Sequence, residues 1–167
     1  GMFYDAKEFN QPLNNWNVSN VNYMGSMFQN AHSFNQPLNN WNVSNVTTMY
    51  KMFEDANAFN QPLNNWDVSK VGNMSYMFNT AEVFNQDISS WDHTHELNYS
   101  VSMNNMFNGA KVFNQPLNNW NVSNVTNKSW MFNDAGSFNQ PLDKWDVSNV
   151  ENMCGMFSNT YDFNQPL

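Results

Sequence analysis

The stretch Phe9-Asn10-Gln11-Pro12-Leu13-Asn14-Asn15-Trp16-Asn17-Val18-Ser19-Asn20-Val21 decides the fold, because its text returns along the whole chain. Phe-Asn-Gln opens again at Phe34, Phe59, Phe84, Phe113, Phe138 and Phe163, at intervals of 25, 25, 25, 29, 25 and 25 residues. All 14 Phe fall on two positions of this unit and all six Pro on one; six of the seven Trp share another, with Trp130 apart. Self-similarity at a period of some tens of residues marks a stacked repeat architecture. Residues 1–167 therefore read as a single array of about six and a half units, with no linker. Both ends fall inside a unit, and the array reads as a fragment of a longer one.

Two hydrophobic periods share each unit. Trp16 and Val18 alternate with Asn15, Asn17 and Ser19, the period of two of a half-buried strand. This predicts strands near 15–18, 40–43, 65–68, 90–93, 119–122 and 144–147, stacked as one parallel sheet. Val21, Met24, Phe28 and Ala31 then fall at offsets 0, 3, 7 and 10, one face of a helix. Ser19 and Asn20 stand before it as caps. Pro12 and its equivalents lack an amide donor and belong in turns. The expected fold is an α/β repeat solenoid, right-handed, of 25-residue coils with a parallel β-sheet face and short helices opposite. Trp16, Trp41, Trp66, Trp91, Trp120 and Trp145 are expected inside, with both Phe positions behind them. Asn and Gln of Phe-Asn-Gln are expected to satisfy turn backbone and to bond one another along the stack.

Composition narrows function. Six Lys, no Arg and 14 acids give a net charge of −8, against the clustered cations that nucleic acid requires. No apolar run approaches the ~18 residues of a membrane span. Cys154 is the single cysteine, and His32, His93 and His95 belong to distant units, so no nucleophile–base pair is visible and no enzyme is expected. No cofactor or metal is assigned. Two places invite a metal reading: His93 and His95 in the insert of the fourth unit, and Asp67 opposite Asp92 on adjacent coils. A hydrated loop and hydrated carboxylates explain both without one. The insert loop stays a candidate ligand contact.

Strand alternation turns Asn17, Asn42, Asp67, Asp92, Asn121 and Asp146 outward as a polar row, the candidate binding row of the sheet face. The variable residues Tyr50, Tyr76 and Trp130 form the alternative, a convex face. Lys128 stands where other units carry Met; either the register shifts so that Trp130 fills the gap, which is the expectation, or the Lys128 stem snorkels outward.

The unit F-N-Q-P-L-N-N-W-[ND]-V-S-N-V-T-N-M-x-x-M-F resembles the repeat of bacterial surface proteins and mycoplasma-type lipoproteins of unknown function, grouped with BspA-like leucine-rich repeats. Leu13, Trp16 and Val18 match their L-x-x-L-x-L strand signature, with Trp for the second Leu. Phe28 and Ala31 resemble the A-F-x-x-C stretch, with Ala for Cys. The resemblance covers essentially the whole chain. It implies a leucine-rich-repeat-like solenoid at the cell surface or outside the cell, lipid-anchored or secreted, binding protein or glycan in adhesion. Neighbouring repeats of the same array are its other partners. The alternative is a structural stalk or spacer without a ligand.

Overall fold

Repetition in the text becomes stacking in space. In the computed structural model, which describes residues 1–91 and 100–167, equivalent side chains of successive units lie against one another. Phe3, Phe28, Phe53, Phe78, Phe107, Phe132 and Phe157 form one column, with ring centroids 5.5–5.7 Å apart. Phe9, Phe34, Phe59, Phe84, Phe113, Phe138 and Phe163 form a second at 5.9–6.2 Å. Within each unit the two Phe rings lie 4.0–4.3 Å apart. Offset stacking at such distances adds about 0.5–1.5 kcal/mol per pair beyond the area buried.

Trp41, Trp66, Trp91, Trp120 and Trp145 point into this core as expected, while Trp16, in the first full unit, is 41% exposed. Each buried indole solves its polar problem in the same way. Its Nε1–H donates to the carbonyl of the Leu or Ile that opens the preceding unit's turn, at 2.9–3.0 Å. The same carbonyl accepts the backbone N–H of its own unit's Trp, as Leu38 does from Trp41. Both lone pairs are thus engaged.

The backbone corrects the expected elements. Among the described residues there is no helix, and the only strands are β1 (Val101–Ser102) and β2 (Val125–Asn127), paired in parallel. Residues 46–56 show why. The N–H groups of Met49, Lys51, Phe53 and Asp55 leave the unit and donate to carbonyls of Asn73, Ser75, Met77 and Asn79, at 2.9–3.0 Å. The intervening N–H groups of Met52, Glu54 and Ala56 close turns on Met49, Lys51 and Phe53, three residues back. A helix needs every donor to reach four residues back in its own segment; here alternate donors cross to the next unit. Lys51 (φ 57°) and Asp55 (φ 54°) also lie in the left-handed region, which no right-handed helix contains. A chain of such turns places Val46, Met49, Phe53 and Ala56 inside at helical spacing, so the hydrophobic period alone could not separate the two.

The strands expected near 15–18, 40–43, 65–68, 119–122 and 144–147 are not strands either; part of 90–93 lies outside the described residues. Trp and Val face inward at 40–43, 65–68 and 119–122, whereas Trp16 and Val147 are exposed; the donors close turns, Trp41 N–H to Leu38 at 3.0 Å and Val46 N–H to Val43 at 2.8 Å. Parallel pairing instead runs one residue wide through Tyr23, Thr48, Asn73 and Ser102, and through Asn127 and Asn152. The α/β solenoid with a parallel sheet face and opposing helices is therefore not the fold, and L-x-x-W-x-V makes no leucine-rich-repeat strand. Each unit is a ring of turns held to its neighbours by a hydrogen-bond ladder at one edge and by stacked side chains elsewhere.

The invariant amides supply the rest of that contact. Asn10, Asn35, Asn60, Asn85, Asn114 and Asn139 each present Oδ1 to the next unit, accepting the backbone N–H of the equivalent Asn at 2.9–3.0 Å. The same oxygens accept from Nε2 of the following Gln at 3.0–3.1 Å. Equivalent rings are closest in the Phe28 column and farthest, at 6.2–6.5 Å, among Trp66, Trp91 and Trp120. Units are tightest near the ladder and splay toward the Trp side.

Candidate functional site

The polar row expected on the sheet face is exposed but folded back on itself. Oδ1 of Asn17, Asn42 and Asn121 accepts both the backbone N–H and the Oγ–H of the Ser two residues on, at 3.1–3.2 Å and 2.7 Å. Asp67 and Asp146 accept the Ser69 and Ser148 N–H groups at 3.1 and 3.0 Å. These are Asx turns, in which a short polar side chain mimics backbone. Hydrogen bonds from Ser148 hold the Asp146 carboxyl below its ordinary pKa, with a smaller contribution from the Lys128 charge. Asp92, His93 and His95 lie outside the described residues. Among the described residues no three His, Cys, Asp or Glu come together as a metal site would require.

The variable residues Tyr50, Tyr76 and Trp130 lie along the ladder, the tight edge of the stack and not a splayed convex one. Tyr50 and Tyr76 meet edge to face with centroids 6.0 Å apart. Lys51 Nζ sits 5.5 and 5.1 Å from their centroids, within cation–π range. It also pairs with the nearly buried Glu54 at 3.1 Å, and Glu54 takes further bonds from Gln29 and Asn79. Burial works against the Lys51 charge, yet the Glu54 bond and charge raise its pKa overall. Sequence reading passed over Lys51 and Glu54 as partners because their meeting depends on the turn between them.

Lys51, Tyr76 and Trp130 occupy one repeat position, and all three have positive φ, 57°, 59° and 57°. Bulky residues rarely accept this region, and strained backbone gathers at ligand clamps and switch regions. Trp130 is 41% exposed and lies over Gly155, where a Cβ would overlap the indole. It therefore does not fill the gap at Lys128. No register shift occurs: Lys128 itself is fully buried, its Nζ donating to the Val125 carbonyl at 3.1 Å and the Val122 carbonyl at 3.4 Å. Burial pushes its pKa down to about 8, against an opposing pull from the Asp146 charge. Cys154 and His32 are exposed.

Fold and surface together define a class: a repeat protein of stacked, turn-built units, with an invariant framework and a variable aromatic and charged edge. The chain belongs to the family of Mycoplasma proteins of unknown function, DUF285, which matches residues 1–101 and 95–167. No curated protein and no solved structure matches it. Among the described residues no helix is long and apolar enough to cross a membrane.

Proposed function

We propose that the chain is a non-enzymatic scaffold at a cell surface, engaging a partner protein in adhesion through the edge that carries Tyr50, Lys51, Tyr76 and Trp130. One observation carries this reading. The invariant amides are bonded within the stack, whereas the residues that change from unit to unit at one position include Lys, Tyr and Trp on positive-φ backbone. Tyr and Trp dominate the energetics of protein interfaces, and a rigid stack presents them with little conformational entropy left to lose. The likeness to BspA-like surface repeats supports the surface location and, with it, a lipid-anchored or secreted state.

The test is a binding screen of the chain against extracellular host proteins by biolayer interferometry. Changing Tyr50, Tyr76 and Trp130 together to Ala is expected to weaken a captured partner at least tenfold. Changing Asn42, Asp67 and Asp92 to Lys is expected to leave it unchanged. The opposite pattern would move the site to the polar row. No partner in the screen would favour a structural spacer.

A further inference from the structure

We infer that the cleft at Gly136 is a binding subsite for an uncharged pyranose ring of a glycan. This site lies apart from the Tyr50–Trp130 edge and extends the surface-scaffold reading with different residues. One repeat position is held in turn by Lys7, His32, Asn57, Glu82, Lys111, Gly136 and Tyr161. Only Gly136 lacks a side chain there, and a Cβ built on it meets nothing within 4 Å. The missing side chain leaves a slot one unit wide, flanked by Lys111 on one side and Tyr161 on the other. The unit spacings on the two sides of Gly136, read from the Phe138 column two residues on, are 6.2 and 6.0 Å. A saturated ring stacked on the Tyr161 flank at ~3.5–4.0 Å fits within two such spacings. The slot opens into a cavity of about 560 Å³ that runs along neighbouring units, lined also by Thr80, Glu82, Asn108, Gly109, Asn133 and Asp134.

The lining chemistry selects the ligand. Tyr161 is 83% exposed and lines the cleft, an aromatic face on which the C–H face of a sugar can stack. The amides are held in place: Asn133 Nδ2 donates to Asn108 Oδ1 at 2.7 Å and to Asp134 at 3.0 Å, and Asn108 Nδ2 donates to Asn105 at 3.2 Å. Pre-positioned amide and carboxylate groups offer both donors and acceptors to ring hydroxyls. Lys111 is paired with Glu82 at 2.6 Å, so its charge is already met, and Asp134 adds a carboxylate. Such a lining disfavours acidic sugars and phosphates by like charge. A neutral hexose or N-acetylhexosamine fits.

The experiment is saturation-transfer NMR and titration of the chain with maltotriose, cellotriose and N,N′-diacetylchitobiose, with sialyllactose as the acidic arm. At least one neutral oligosaccharide is expected to bind and to shift the Tyr161 ring resonances. Gly136→Gln fills the slot with no backbone strain and is expected to weaken binding at least tenfold. Tyr161→Ala is expected to do the same, and Tyr161→Phe to retain most of it. Tyr76→Ala is expected to leave sugar binding intact, which separates this site from the protein-binding edge. Failure of all three neutral sugars to bind, binding that survives Gly136→Gln, or equal binding of sialyllactose would overturn the assignment.

Discussion

Lys128 occupies the position that holds Met24, Met49, Met74, Met103 and Met153 in other units. A lysine stem matches methionine in length, so the packing is preserved and only the ammonium is foreign. Two backbone carbonyls receive it, and the Trp145 ring centroid lies 6.0 Å away. These contacts do not repay the lost hydration, which is why the pKa falls from 10.5 to about 8. Between those two values the unfolded chain holds more protons than the folded one, so stability rises with pH across that window. Below about pH 8 both states are protonated and the cost is fully present. Lys128→Met is expected to stabilise the chain at pH 7 by about 3 kcal/mol, from the size of the shift. The gain should shrink as pH approaches 10.5, as read by urea denaturation of both chains from pH 7 to pH 10.5. A pH-independent difference would place the ammonium in water. Lys128 was visible in the text as an oddity; that it stays buried was not, because only the packing around it shows that no outward path is taken.

The recurring element is the run of turns with a left-handed residue every fourth position. Asp5, Asn30, Asp55, Thr80, Gly109, Asp134 and Asn159 hold one such position, with φ between 53° and 71°. Asn, Asp and Gly tolerate this region because a short polar side chain bonds locally or no Cβ is present. Their recurrence was a legible signal for turns, overshadowed by the helical spacing of the apolar residues beside them. Gly109 has φ +71°, and a Cβ on it would stand 3.0 Å from Thr80 Cγ2. Gly109→Ala is expected to destabilise by about 1–2 kcal/mol through the left-handed backbone, with the Thr80 contact adding to it. Gly109→Asn should cost less than Gly109→Ala, since Asn accepts the conformation at other units. Equal losses for the two, measured by thermal and urea unfolding, would show that the backbone at this position is not the determinant.

Among the described residues, the contacts that hold the whole molecule together join each unit to the next. Ring stacks join unit to adjacent unit, as do the Asn-to-Asn bonds and the ladder. Stability is then a sum of unit and interface terms, and damage in the middle divides the array. Trp66 is central: it stacks on Trp91 at 6.5 Å and its indole N–H reaches the Leu38 carbonyl at 3.0 Å. Trp66→Ala is expected to cost ~3–5 kcal/mol through lost burial and a cavity. It should also convert one cooperative unfolding transition into two, seen by calorimetry. A single transition with an unchanged midpoint would mean that Trp66 carries little of the interface between its neighbours.

The sequence by itself determined the repeat length, the stacking of equivalent residues, the inward Trp and Phe positions and the role of the invariant Asn and Gln. Those follow from composition at fixed positions: an apolar residue that recurs at every unit has to be buried, and an amide that recurs in every turn has to be bonded. Tertiary structure decided which backbone groups pair. A donor at Met49 serves a helix if it turns back within its unit and a ladder if it crosses to Asn73, and side-chain spacing is the same in both cases. It also decided what the surface offers, because the Asn42 oxygen is engaged by Ser44 and the slot at Gly136 exists only when Lys111 and Tyr161 are brought to its two sides. The ladder and the slot join residues 24 or more positions apart and are set by stacking, which no local run of sequence encodes.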